Sequence, residues 1–79
     1  MDVFYVYAIK SEVDQRIYVG FSSDVMKRLA EHNAGKTKST KGYRPWKLIY
    51  TEAVVGRIAA RNREKYLKSG IGKDFLKSL

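Results

Sequence analysis

Hydrophobic and polar positions along the chain alternate first with the period of a strand and then with that of a helix. Val3–Ile9 is rich in β-branched and aromatic residues and predicts a strand. Ser11–Gln15 is polar and turn-like, and Arg16–Phe21 predicts the returning strand. Placing Tyr7 opposite Tyr18 gives a coherent hairpin. Phe4, Val6 and Ala8 then share an apolar face with Ile17, Val19 and Phe21, while Tyr5, Tyr7, Tyr18 and Gly20 occupy the other face. Ser22-Ser23-Asp24 is a helix-capping signal, and Val25–Ala34 follows with helical spacing and ends near Gly35. Val25, Met26, Leu29 and Ala30 form its apolar stripe, with Arg28 and His32 on the rim.

Gly35–Arg44 reads as a mobile basic loop, Trp46–Ala53 as a third strand and Gly56–Lys68 as a second helix. Glu64 falls at the edge of that helix's apolar side, beside Ala60 and Leu67. Ser69–Gly72 breaks the helix, leaving Lys73–Leu79 for a short terminal one. The expected fold class is α/β (α+β): a small three-stranded antiparallel sheet flanked by helices, order β-β-α-β-α, with a short C-terminal helix. With no repeat or linker, residues 1–79 are expected to form one domain.

Composition removes several function classes. Absence of cysteine excludes disulfides, thiolate metal cages and a cysteine nucleophile, and a single histidine argues against zinc. The longest apolar run, Val3–Ile9, is too short to span a bilayer, and no basic segment precedes it as in a signal peptide. A soluble cytoplasmic protein without a membrane partner is therefore expected.

Charge is unevenly placed within the total of +8. Residues 1–32 carry net −1 and residues 33–79 net +9, with Lys36, Lys38, Lys41, Arg44 and Lys47 in a stretch free of acids. Such asymmetry suits a polyanion, nucleic acid above all, and equally a solvated, solubilising surface. Tyr43 and Trp46 inside the basic stretch suit base stacking, although a lone Trp more often serves a small core.

The groups available for chemistry are two tyrosines on one sheet face, Arg28 and His32 on one helix rim and Glu64 on another. A guanidinium, general-base candidates and one carboxylate suit phosphodiester hydrolysis. Mg²⁺ requires only one or two carboxylates when phosphate oxygens and waters complete its octahedron. Gly20 would allow close approach of backbone and substrate.

These residues resemble a known family. Tyr5-Val6-Tyr7, ten residues, then Tyr18-Val19-Gly20 look like the paired triads of the GIY-YIG nuclease superfamily. Arg28-Leu29-Ala30-Glu31-His32-Asn33 resembles its R-L-x-x-H-N helix, and Pro45-Trp46-Lys47-Leu48 its P-W-x-L lead into the third strand. Ala60–Lys65 resembles the helix that carries its metal-binding glutamate. The pattern is similar to small stand-alone members and to the nuclease domains of excision-repair and structure-specific endonucleases. This chain departs from it in carrying Tyr5 for the first glycine and valines for both isoleucines.

The resemblance implies a DNA endonuclease using one Mg²⁺ or Mn²⁺ ion, with RNA an alternative substrate. It implies Tyr7 as general base or water-orienting group, Tyr18 as a positioner of water or phosphate, and Arg28 as the neutraliser of phosphorane charge. His32 would hydrogen-bond near Tyr7, and Glu64 would be the single metal ligand. A free phenol titrates near ~10, so a basic Tyr7 needs its pKa lowered by cation, Arg28 or His32. Lys36, Lys38, Lys41, Arg44, Lys47 and Arg61 are the candidate phosphate contacts. The alternatives are a binding module of the same fold with little cleavage, or a subunit that a protein partner recruits and activates. The pattern leaves the oligomeric state open.

Overall fold

A computed structural model describes residues 2–79, in the order β1 (Val3–Ser11), β2 (Ile17–Ser22), α1 (Val25–Asn33), α2 (Lys38–Lys41), β3 (Trp46–Val55), α3 (Arg57–Lys68) and α4 (Gly70–Lys77). The strands form one antiparallel sheet with β1 in the centre, order β2-β1-β3. This is the expected α+β architecture, with the terminal helix present.

Each sheet face carries its own apolar cluster. Val6, Ala8 and Val19 meet Ala60 and Leu67 of α3 and Leu76 of α4 on one side. Tyr7, Ile9 and Trp46 gather Tyr18, Val25, Leu29 and Leu48 on the other, under α1. The register of β1 against β3 shifts between Ala8 and Ile9, so that Ala8 faces Tyr50 while Ile9 faces Leu48. The extra residue, Ile49, is a bulge. It lets Ile49 and Tyr50 both join the α3 cluster while Leu48 and Trp46 serve the α1 cluster.

The hairpin pairs two residues away from the expected register: Tyr7 opposes Gly20, and Tyr18 opposes Ile9. β1 continues to Ser11 because that residue is anchored three ways. Its N–H donates to Arg16 (2.9 Å), its Oγ accepts from Val13 N–H (3.0 Å) and its hydroxyl donates to the Tyr43 carbonyl (2.7 Å). Gln15 closes the loop at φ 67°, in the left-handed region. A two-residue slip keeps every side chain on its face, so both faces are as read.

Three other expectations are corrected. The basic segment is not simply a loop: α2 lies within it and buries Thr40 completely. The helix break contracts to Ser69, whose hydroxyl caps α4 by accepting from Gly72 N–H (3.4 Å). A Cβ on Gly72 would collide with the Tyr66 carbonyl and the Leu67 backbone, so glycine there serves close α3–α4 packing, not interruption. On α1, Met26 is 65 % exposed and Ala30 is exposed, while the buried stripe runs through Val25, Leu29 and His32.

Candidate active site

Tyr7 occupies the centre of the central strand, and its ring reaches over Gly20, the residue opposite. A Cβ built on Gly20 would sit 2.8 Å from Tyr7 Oη, 3.0 Å from Tyr7 Cζ and 3.2 Å from Tyr18 Cε1. Only glycine leaves room for both rings at ordinary contact distances. Tyr7 is 1 % exposed, and its hydroxyl is hydrogen-bonded to His32 Nε2 at 3.0 Å.

His32 enters this cluster from the last turn of α1, and the structure moves it from the expected rim into the interior, 0 % exposed. Burial of an imidazole is tolerated when both ring nitrogens are satisfied. Here Nδ1 meets Thr40 Oγ1 at 2.8 Å, and the Tyr18 ring stands 4.9 Å away, centroid to centroid. Thr40 is held in turn by Trp46, whose indole N–H donates to the Thr40 carbonyl at 2.9 Å. Asn33 clamps the Trp46 backbone on both sides, accepting from its N–H (2.7 Å) and donating to its carbonyl (3.1 Å).

Arg28 stands one turn before His32 and is half-buried. Its Nη1 donates to Glu31 (3.0 Å) and to Thr37 Oγ1 (3.3 Å). Beside it, Ser22, Ser23, Asp24, Lys27, Arg28 and Glu31 line an open hollow of about 400 Å³. A more apolar hollow, lined by Tyr5, Val25, Met26, Leu48 and Thr51 among others, contains none of the candidate groups. Glu64 projects half-buried from α3, with Lys68 Nζ 3.4 Å away.

Arg28 lowers the Tyr7 pKa as expected, but the net shift is upward. Burial dominates at Tyr7 and pushes its pKa up to about 12. The Tyr18 phenol adds to the rise, Arg28 opposes it, and the Glu64 charge raises it further. The same phenol thus feels both Arg28 and Glu64, which come from different helices. Burial and then the Arg28 charge hold His32 below its ordinary 6.5, against Glu31, so the ring is neutral at pH 7.

Tyr7, Tyr18, Gly20, Arg28 and His32 are brought together, and Glu64 lies near enough for its charge to act on Tyr7. Lys36, Lys38, Lys41, Arg44, Lys47 and Arg61 are all exposed. Arg44 folds back to donate to the Lys41 carbonyl (2.8 Å), and Arg61 lies 5.9 Å over the Phe21 ring. The aromatics of the basic stretch are not free platforms. Trp46 is 4 % exposed, and Arg16 covers one face of Tyr43 at 3.5 Å from its centroid. Thr40 and Glu31 escaped the sequence reading as site residues: Thr40 sits in a polar run where no periodicity marks it, whereas the i,i+3 spacing of Glu31 from Arg28 could have found it.

Among the described residues no group of three or more His, Asp or Glu side chains is placed to hold an ion. A single half-buried carboxylate in a basic protein fits Mg²⁺ or Mn²⁺, hard ions that take most of their oxygens from substrate and water. It does not fit an all-protein cage. Among the described residues no helix is long and apolar enough to cross a membrane.

A sequence model of the GIY-YIG catalytic domain matches residues 3–74. A UPF0213 protein of Haloquadratum walsbyi is 41 % identical over 69 residues, covering 86 % of this chain and 76 % of its own. A UPF0213 protein of Staphylococcus epidermidis is 36 % identical over 80 residues, covering 100 % and 96 %. The solution NMR structure of a UPF0213 protein from Bacillus halodurans is 33 % identical with a TM-score of 0.57, covering 96 % of this chain and 83 % of its own.

Proposed function

The chain belongs to the GIY-YIG catalytic domain family, and from that membership we propose that it is an endonuclease hydrolysing phosphodiester bonds in DNA with one Mg²⁺ or Mn²⁺ ion. The observation that carries the reading is the Tyr7 phenol, bonded to a neutral imidazole and subject to charges from Arg28 and Glu64. Glu64 would hold the ion, which when bound supplies charge neutralisation at the phosphate.

With a pKa of about 12, Tyr7 is almost wholly protonated at pH 7 and is a poor base by itself. The adjoining imidazole removes the difficulty. As the attacking water gives a proton to Tyr7 Oη, the phenolic proton passes to His32 Nε2, and no free phenolate need form. The water oxygen bonds to phosphorus as the bond from phosphorus to the departing sugar oxygen breaks, and that oxygen takes up a proton from solvent. Arg28 turns from Glu31 to the phosphate, where its charge offsets that of the five-coordinate transition state. Tyr18 has no hydrogen-bond partner for its hydroxyl among the described residues, which leaves it available to orient water or phosphate. Exposed Lys36, Lys38, Lys41, Arg44, Lys47 and Arg61 hold the polyanion.

A second reading has specific support. Tyr7 is 1 % exposed and Arg28 is paired with Glu31, an arrangement that suits a nucleic-acid-binding module, or a nuclease opened by a partner. A plasmid-nicking assay with Mg²⁺ or Mn²⁺ separates these readings. Wild type should nick, and Tyr7→Phe, Arg28→Ala and Glu64→Ala should each lose on the order of 10²-fold or more. Equal DNA binding by all four proteins with cleavage by none would favour the binding module. Full nicking by Glu64→Ala would refute its assignment to the ion.

A further inference from the structure

We propose that Thr40 is a positioning residue: its hydroxyl oxygen holds His32 in the tautomer protonated at Nδ1, so that Nε2 is the acceptor for the Tyr7 proton. This deepens the nuclease reading and rests on it for its catalytic consequence, but the tautomer itself is independent of any activity.

The heavy atoms admit two wirings. In one, Tyr7 Oη–H donates to His32 Nε2 (3.0 Å), His32 Nδ1–H donates to Thr40 Oγ1 (2.8 Å), and the Thr40 hydroxyl donates to the Thr37 carbonyl (3.3 Å). Every proton has an acceptor. In the other, Thr40 donates to Nδ1 and Nε2–H donates to the Tyr7 oxygen. The Tyr7 proton must then find a different acceptor, and His32 Nε2 is the one bonded to that hydroxyl among the described residues. The cation nearby is the Arg28 guanidinium, which only donates. In the resting, metal-free protein a hydroxyl of a residue 1 % exposed, turned from its acceptor toward a donor, loses its hydrogen bond with little water to replace it. The first wiring is therefore the stable one, and it requires an acceptor at Nδ1.

Thr40 is built to be that acceptor. It is 0 % exposed, so water does not compete, and its backbone is fixed by the Trp46 indole, which Asn33 secures in turn. Threonine turning its hydroxyl back to the carbonyl three residues earlier is a common local bond, and it aims the oxygen's lone pairs outward at the imidazole. Partners that fix which nitrogen of a histidine is protonated determine what the other nitrogen can do.

The protein has one histidine, so its ring signals in a ¹⁵N-labelled sample need no assignment. Ring-nitrogen NMR of the metal-free protein at neutral pH should show Nδ1 protonated and Nε2 as acceptor. Thr40→Val keeps the shape but removes the acceptor, and should shift the ring toward Nε2–H. Thr40→Ser should keep the wild-type pattern. In the nicking assay, Thr40→Val should lower kcat on the order of 10²-fold with KM within about twofold, and Thr40→Ser should restore kcat.

A wild-type ring protonated at Nε2 overturns the proposal, as does Thr40→Val with an unchanged ring pattern and full kcat. Should Thr40→Val fail to fold, the wild-type spectrum still decides. A wild type that shows the Nδ1–H pattern but never nicks supports the tautomer assignment and counts against the nuclease reading alone.

Discussion

Replacing Gly20 by alanine tests the tightest geometry in the site. The new methyl group would sit 2.8 Å from Tyr7 Oη and 3.0 Å from Cζ, where ordinary non-bonded contacts begin near ~3.5 Å. It also meets Tyr18 Cε1 at 3.2 Å, so both rings would have to give way. The Tyr7 oxygen cannot yield freely, because it is 1 % exposed and tied to His32 at 3.0 Å. Overpacking of this kind costs about 1–3 kcal/mol. Alanine also restricts the unfolded chain, which returns about 0.4–1 kcal/mol, and the strand conformation at this position is one alanine can adopt. Taken at the middle of both ranges, the steric cost wins by roughly 1 kcal/mol. For a domain of this size that corresponds to a fall in Tm of about 4–8 °C. Catalysis should suffer more than stability, because relief of the clash pushes Tyr7 Oη from His32 Nε2. Circular-dichroism melts and nicking rates measured well below Tm check both halves. A Tm equal to or above wild type, together with an undiminished rate, would refute the close-approach account of Gly20.

Three further outcomes follow from the same electrostatics and surface. Tyr7 titrates at about 12 when folded and near 10 when unfolded, so the unfolded chain ionises first and stability is lost as pH rises from about 10 to about 12. The loss attributable to Tyr7 is about 3 kcal/mol, measured as the wild-type minus Tyr7→Phe difference in urea unfolding without metal; parallel curves would refute it. His32 has the opposite sign. Its folded pKa lies below the unfolded 6.5, so the unfolded chain takes up the proton first and stability falls as pH drops below 6.5. Urea midpoints at pH 7.5 and 5.5 should show that fall in wild type and a smaller one in His32→Gln. Finally, Lys38→Ala with Lys41→Ala should weaken DNA binding and reduce the salt slope by up to about 2, if both side chains meet phosphates. An unchanged slope would return these two lysines to a solubilising role.

How much of this site was legible in the sequence depends on parity. A strand has only two faces, and the hydrophobic alternation in Val3–Ile9 and Arg16–Phe21 assigned each side chain to one of them. The error in hairpin register was an even number of residues, so it exchanged partners without moving Tyr7, Tyr18 or Gly20 off their face. The pairing that resulted, Tyr7 with Gly20, was not visible, because it depends on how Ser11 anchors the turn through a local bond from Val13 and a tertiary one to Tyr43. β3 hid its bulge for a similar reason. An apolar run such as Leu48-Ile49-Tyr50 does not mark where alternation skips a residue.

The helix was harder, and for a reason tied to function. Apolarity directed the α1 stripe through Met26 and Ala30 and placed His32 at the rim, whereas the chain buries His32 and exposes Met26. The usual rule that polar groups stay near water assumes that burial leaves them without partners. Tyr7 and Thr40 supply partners to both imidazole nitrogens, so the premise fails at this position. One of those partners comes from a polar basic tract that looked like a mobile loop. A loop exposed to water could not keep the Nδ1 acceptor dry, and α2, held down by Trp46 and Asn33, can. The same burial that lowers the His32 pKa raises that of Tyr7, and it outweighs the lowering that Arg28 supplies. Burial outweighs the Arg28 charge because the guanidinium is half-exposed and shared with Glu31, while Tyr7 is only 1 % exposed. A buried phenol with its pKa raised cannot act as a free base. It can pass a proton, provided the next group is neutral and presents a lone pair, and the buried imidazole meets the first condition through its lowered pKa and the second through Thr40.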